Sequence, residues 1–343
     1  MISNIIDNKQ IEALKARLAE SSRCVILTHS RPDGDAMGSS LALAHFIKGT
    51  GKEATIVVPN EYPPFLAWMP SIENVIVYDK QQEAAEKALK SADLFICLDF
   101  NSLTRIDEVA GSVSASSAPK VLIDHHLFPD SIFDVEISHP EASSTSELVF
   151  RAIWQMGKAD SLTKEAAECI YTGIMTDTGN FAYASSQKDI YHIVAELISK
   201  GIDKDIIYRR VFYNCSFSRM RLMGYMMYEK LRYFPEKNAA LLTLTFDELK
   251  RFNGAKGDTE GIVNMPLQIK GVRFSCFLRE ENKGKVNVSL RSVDDFPCNE
   301  VAAKLFSGGG HKNASGGEVR GTMQEAEELF MRALEEFSDK LTN

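Results

Sequence analysis

The stretch THSRPDGDAMGSS, residues 28 to 40, places His29, Asp33 and Asp35 between an apolar run and a run of small residues. Similar chemistry recurs downstream: Asp99 ends LFICLD, Asp124, His125 and His126 end KVLIDHH, and Asp177 lies in GIMTDTGN. A bare aspartate at the end of a buried strand is costly unless something pairs with it, and several together repel. A divalent cation resolves both problems. Carboxylates and imidazoles without thiolates favour Mn²⁺ or Mg²⁺, although imidazole also suits Fe, Co and Zn. The donors exceed what one ion needs. Two ions about 4 Å apart, bridged by a shared carboxylate, would use them and would supply a clamp and an activated water for phosphoester hydrolysis. Each residue also has a plainer reading. PDGD suits a turn, Asp99 can cap a helix starting near Ser102, His125 and His126 can be loop residues, and Asp177 can cap a helix end. The four clusters taken together outweigh these one-residue explanations.

Such donors need a scaffold that brings them together. CVILTH (24 to 29), ATIVVP, VIVY, LFICLDF and KVLIDHH are short apolar runs, alternating with helical patterns such as SSLALAHFIKGTG and QQEAAEKALKSA. This alternation predicts an α/β fold: an N-terminal, mostly parallel sheet with helices on both faces. Three of the four clusters then lie just past the carboxyl ends of strands, where open α/β sheets build their sites. SSTSELVFRAIWQMG opens a further helix, with Ser144 and Glu147 spaced as a capping box. The expected organisation is a catalytic domain over 1–190, a helical connector over 191–235, and a smaller α+β domain with a mixed sheet over 236–343.

The last of these carries SGGGHKNASGG, residues 307 to 317, in which glycines surround His311 and Lys312. Read as a loop, it lets backbone N–H groups, including those of Gly309 and Gly310, turn toward an anion. Arg291, near the end of KVNVSLRS, is a natural phosphate fork. A catalytic site in one domain and an anion clamp in the other imply a substrate held in the cleft between them.

With 343 residues, the chain suits two domains, and its 44% hydrophobic and 25% charged residues are ordinary for a folded soluble protein. A net charge of −8 argues against a broad basic surface for long duplex nucleic acid. Six scattered cysteines form no metal or disulfide pattern, and most are read as small core residues in a reducing cytoplasm. The N-terminus lacks the basic-then-apolar order of a secretory signal, and no segment approaches the ~20 apolar residues of a membrane span.

HSRPDGD (29 to 35), Asp99, Asp124-His125-His126, the Asp177 turn and GGGH (308 to 311) occur in an order that resembles the DHH phosphoesterase family with its DHH-associated C-terminal domain. The resemblance implies two divalent ions, Mn²⁺ with Mg²⁺ or Co²⁺ as alternatives. One would be held by His29, Asp33 and Asp99, the other by Asp35, Asp99, His125 and Asp177. It implies that His126 sits beside the scissile phosphate, that Asp124 orients the neighbouring imidazoles, and that Arg291, Gly309, Gly310 and His311 bind substrate. Arg105 is a further candidate phosphate contact. Within the family the chain resembles the nanoRNase A type, which implies hydrolysis of short oligoribonucleotides or linear dinucleotides and dephosphorylation of pAp. Relatives acting on cyclic di-AMP or inorganic pyrophosphate, and a nucleotide-binding regulator without turnover, remain as alternatives.

Overall fold

A computed structural model describes residues 2–255 and 257–342. The chain divides into two compact units, Met1–Asn214 and Cys215–Asn343.

In the first unit, β1 (Arg23–Thr28), β2 (Glu53–Val58), β3 (Ile76–Val77), β4 (Leu94–Leu98), β5 (Lys120–Asp124) and β6 (Val135–Ser138) form one parallel sheet, ordered β3-β2-β1-β4-β5-β6. The α-helices that accompany it are α1 (Asn8–Glu20), α2 (Gly34–Gly49), α3 (Gln82–Ser91), α4 (Val109–Ala115), α5 (Thr145–Gln155), α6 (Lys164–Asp177), α7 (Lys188–Ser199) and α8 (Lys204–Phe212). The strands read as continuous apolar runs because both faces are covered. Alternate residues go to different cores. Cys24, Ile26, Leu94, Ile96, Val121 and Ile123 pack with α1, α2, α5 and α6. Val25, Leu27, Phe95, Cys97 and Leu122 pack with α3 and α4. The strand β6 escaped the sequence reading because its four residues include the exposed Glu136 and only two buried positions.

Glycines set how closely α2 approaches its neighbours. A Cβ on Gly38 would lie 2.6 Å from the Cys169 carbonyl oxygen of α6, and one on Gly173 would overlap the Ser146 hydroxyl and come within 2.9 Å of Asp35 Oδ1. Small residues along this seam bring the N-terminus of α2, with Asp33 and Asp35, up to the end of α6, with Asp177.

In the second unit, β7 (Arg232–Phe234), β8 (Ala239–Leu244), β9 (Phe274–Asn282), β10 (Lys285–Ser292), β11 (Gly309–His311) and β12 (Ala314–Arg320) form a mixed sheet ordered β11-β12-β10-β9-β8-β7. Among the described residues of this sheet, only β8 and β9 pair in parallel. The helices are α9 (Phe217–Tyr225), α10 (Phe246–Arg251), α11 (Cys298–Leu305), α12 (Met323–Glu336) and α13 (Ser338–Thr342). One sheet face is covered by α11 and α12 through Val301, Ala302, Phe330 and Leu334. On the other, Leu222 and Met226 pack against Leu242, Leu244 and Phe277. The Met-rich run RLMGYMMYEKLRYF, residues 221 to 234, thus serves this unit's own sheet. Its helical period stops at Tyr225, gives one π-helical turn at Met226–Lys230, and passes into β7.

The GGGH segment is not a loop, as its composition predicted. Gly309–His311 is edge strand β11, paired with β12. Gly310 has φ 138° and lies where a Cβ would come 2.6 Å from the Ala314 carbonyl oxygen, so glycine is required by close strand approach. Of the six cysteines, all but Cys215 are buried, and none is in a disulfide. No helix of the described residues is long and apolar enough to cross a membrane.

The glycine seam is testable. Gly38→Ala is expected to cost about 1–3 kcal/mol by overpacking α2 against α6 and to lower the melting temperature. Gly49→Ala, on the same helix with nothing within 4 Å of the added carbon, is the control and is expected to leave it unchanged or raised.

Candidate metal centre

Strand order reverses between β1 and β4, so the loops leaving them diverge and open a crevice. Thr28 and Leu98, the last residues of those strands, are paired in register. Their successors, His29 and Asp99, therefore stand together at the switch point. Asp99 is 2% exposed and has φ 63°, a costly conformation for an L-residue.

Two histidines share one pattern. His29 Nδ1–H donates to the Ser30 carbonyl at 2.9 Å, and His125 Nδ1–H donates to the Ala142 carbonyl at 3.3 Å. A backbone carbonyl on Nδ1 fixes the tautomer that presents Nε2 as a ligand. The two Nε2 atoms lie 3.4 Å from Asp99 Oδ2 and 3.5 Å from Asp99 Oδ1, respectively. One carboxylate thus faces two imidazoles, one with each oxygen. His29 Nε2 is also 3.9 Å from Asp33 Oδ1, and His125 Nε2 is 3.6 Å from Asp177 Oδ2. Such separations suit neighbouring donors around a shared ion bound at about 2.1–2.2 Å. His29, Asp33 and Asp99 form one group with donor atoms within 4.8 Å of one another, and Asp35, His125 and Asp177 form another.

Asp33 does two jobs. It is the N-cap of α2, its Oδ1 accepting from the backbone N–H of Asp35 (3.0 Å) and Ala36 (3.1 Å), and it belongs to the donor group as well. Turn chemistry and ligand chemistry coexist here. Asp99 caps no helix, since Ser102 caps the turn that follows. Asp177 is the last residue of α6, where the helix dipole disfavours a carboxylate and adds to the need for a cation.

Asp35, 1% exposed, is held by a feature that escaped the sequence reading. The N-terminus of α5 donates Thr145 N–H to Asp35 Oδ2 at 2.6 Å and Ser146 N–H to Oδ1 at 2.8 Å, while Thr145 Oγ1 donates to Asp99 Oδ1 at 3.1 Å. The run of small hydroxyl residues announced a helix start. It could not announce which carboxylate, 110 residues away, the start would face. The expected capping box forms only in part. Ser144 Oγ accepts from Glu147 N–H at 3.0 Å, but the Glu147 carboxylate turns to Ser143, N–H at 2.8 Å and Oγ at 2.7 Å. It does so because it also pairs with the buried Arg151 at 2.7 Å, which binds the Ser3 carbonyl at 2.8 Å.

His126 Nδ1–H donates to Asp124 Oδ1 at 2.8 Å and lies 3.8 Å from Asp99 Oδ1. Asp124 is fully buried, and its Oδ2 has no hydrogen-bond partner among the described residues. Arg105 sits in the turn after Asp99, and its carbonyl accepts from Ser30 N–H at 2.7 Å, tying that turn to the His29 loop.

The second unit holds Arg291, Gly309, Gly310 and His311. Arg291 and His311 are both register partners of Ala314, so they flank it on one sheet face, about 10 Å apart across two strand spacings. In the next row of that face, Ser289, Gly316 and Gly309 are partners, and a Cβ on Gly309 would meet nothing within 4 Å. Gly310 belongs to the opposite, packed face, next to Ser315.

Burial and crowding shift Asp35, Asp99, Asp177 and His29 in opposing directions. Burial raises Asp177 to about 7, with Asp99 adding to the shift and His125 opposing it. Burial and Asp99 likewise raise Asp35. For His29 burial acts downward, but the bond and charge of Asp99, with Asp33, outweigh it and raise it to about 9. Asp99 itself, which burial would raise, is held below the usual carboxylate range by His29, His125 and His126. The raised groups Asp177 and His29 give stability that is complete below their unfolded values of about 4 and 6.5, and that is lost as pH rises through about 7 and about 9. Asp99 acts in reverse, losing its contribution only as pH falls below about 4. Chelator-treated protein is therefore expected to melt at progressively lower temperature from pH 5 to 9. Saturating Mn²⁺ is expected to raise the melting temperature more at pH 8 than at pH 6, because ligation would compete with these protons. An increment independent of pH would remove the link between protons and cation.

The DHH family's N-terminal domain matches residues 23–174 and the DHHA1 domain matches 238–343. The bifunctional oligoribonuclease and PAP phosphatase NrnA of Thermus thermophilus is 31% identical over 92% of this chain and 90% of its own length. The crystal structure of an exopolyphosphatase-related protein from Bacteroides fragilis superposes with a TM-score of 0.98 at 50% identity, covering 100% of both chains. RecJ of Thermus thermophilus, crystallised with Mn²⁺, shares the fold at 12% identity and a TM-score of 0.58 over 100% of this chain and 56% of that one. The protein belongs to the DHH family, with a DHHA1 domain following the DHH domain, and is a hydrolase acting on phosphoester bonds.

Proposed function

We propose that this enzyme is a divalent-metal-dependent phosphodiesterase that hydrolyses short oligoribonucleotides or linear dinucleotides to mononucleotides and removes the 3′-phosphate of pAp. The observation that carries this reading is the Asp99 carboxylate, whose two oxygens face the Nε2 atoms of two carbonyl-anchored histidines. Such a carboxylate is placed to be shared between two ions. In this reading His29, Asp33 and Asp99 would hold one ion, and Asp35, Asp99, His125 and Asp177 would hold the other. The orphaned buried oxygen of Asp124 and the proton-holding carboxylates fit a strongly positive neighbour. Bound ions of the Mn²⁺ type supply charge neutralisation at phosphorus and an activated water.

The chain's own groups do the rest. His126, oriented through Nδ1 by Asp124, presents Nε2 to exchange a proton with the oxygen that departs. The helix start at Thr145 and Ser146 keeps Asp35 and Asp99 in place through the turnover. Arg291 and His311, on one face with Ala314 between them, take a phosphate or sugar, and the open surface at Gly309 and Gly316 gives the ligand room. Arg105 is a further phosphate contact. The names of the curated relatives support oligoribonucleotides and pAp as the substrate class, and the net charge of −8 suits short substrates better than long strands.

The test incubates purified protein with Mn²⁺ and, separately, pApA, a five-residue RNA, pAp, cyclic di-AMP, pyrophosphate and polyphosphate. Mononucleotides are expected from pApA and the short RNA, and AMP from pAp. Turnover of pyrophosphate or polyphosphate alone would overturn the substrate assignment. Asp99→Ala is expected to lower turnover at least about a thousandfold with an unchanged circular dichroism spectrum. An active, metal-replete Asp99→Ala protein would refute the bridging role.

A further inference from the structure

Phe128 combines two unfavourable features. Its side chain is 85% exposed, next to Leu127 at 56% and near Ile132 at 41%. Its backbone has φ 61°, a region that bulky L-residues rarely enter. An exposed left-handed position in a loop would be met more easily by glycine or asparagine. Such a conformation persists only where the surroundings hold it, and residues held this way concentrate at functional sites.

The surroundings do hold it. Asn101 Nδ2 donates to the Leu127 carbonyl at 2.6 Å and to the Phe128 carbonyl at 3.4 Å. Asp130 N–H donates to the Asn101 carbonyl at 2.8 Å, and Asp130 Oδ2 accepts from Leu103 N–H at 3.2 Å. Asn101 lies two residues after Asp99, and Phe128 lies two residues after His126. The loop bearing the ring is therefore stitched to the turn that follows the shared carboxylate. It is a fixed projection beside the metal centre, and the core does not use its apolar surface.

Resting on the nucleotide reading above, we propose that Phe128 is a stacking platform for a base of the substrate at the mouth of the centre. A flat, uncharged ring offers nothing to a phosphate and much to a nucleobase. Base-on-aromatic stacking accepts any base, because each has a π-face, so the platform gives affinity for nucleotides as a class without reading sequence. Pyrophosphate or polyphosphate would gain nothing from it.

The experiment compares wild type, Phe128→Ala and Phe128→Trp on pApA and on an analogue of pApA whose residues lack their bases. Wild type is expected to prefer pApA. Phe128→Ala is expected to raise KM for pApA about tenfold, within the roughly 5- to 150-fold range of a lost stack, with kcat within about twofold and the abasic KM unchanged. Phe128→Trp is expected to keep the wild-type KM. Because the ring is exposed, the alanine variant should melt as wild type does. An unchanged KM for pApA in Phe128→Ala would overturn the platform, and a shift in oligomeric state with it would assign the ring to a protein contact instead. A wild type that turns over polyphosphate or pyrophosphate but neither pApA nor pAp would overturn the nucleotide reading, and the platform with it. The two failures are read on different proteins and cannot be confused.

Discussion

Four carboxylates brought to one end of a parallel sheet must be charge-compensated, and most of the first unit can be understood from that constraint. Asp35 and Asp99 are almost fully buried, with Asp33 and Asp177 beside them. Without a cation, burial pushes Asp35 and Asp177 toward sharing protons; against the downward effect of burial the Asp99 charge pushes His29 and His125 upward, and against its own burial Asp99 is held down by the histidines. A divalent ion on each side of Asp99 would replace this proton sharing with coordination. The same groups that burden the metal-free fold would then stabilise it.

The architecture supplies the convergence by three separate devices. The reversal of strand order between β1 and β4 places His29 next to Asp99. The glycine seam between α2 and α6 lets the start of one helix meet the end of the other, bringing Asp35 toward Asp177. The start of α5 then fixes both oxygens of Asp35 and one oxygen of Asp99, using backbone N–H groups that a helix leaves unpaired. Behind it, the buried Glu147 and Arg151 anchor that helix start to the N-terminal segment at Ser3. Disturbing the centre therefore does not require touching a ligand.

Much of this was legible in the sequence because it follows from local rules. Apolar runs alternating with helical periods gave the parallel sheet, and donors that end such runs fall at its carboxyl edge. The order of the DHH and GGGH motifs gave the family. What stayed hidden depended on contacts between distant segments. Ser144 could be read as a cap, but Glu147 chose Ser143 and Arg151 over the reciprocal bond. The glycines before His311 read as an anion-binding loop, whereas pairing with β12 makes Gly309–His311 a strand and makes Gly308 and Gly310 a requirement of close approach. Phe128 drew no reading from the sequence, because neither its positive φ nor the Asn101 brace is visible in composition.

Whether Asp99 is shared between two ions is tested most directly by metal stoichiometry. Chelator-stripped protein would be titrated with Mn²⁺ by calorimetry, and the loaded sample examined by low-temperature electron paramagnetic resonance. Two ions per chain, with the exchange coupling expected of Mn²⁺ pairs about 4 Å apart, is the predicted result. A single ion per chain, or two that are magnetically independent, would contradict a bridging Asp99.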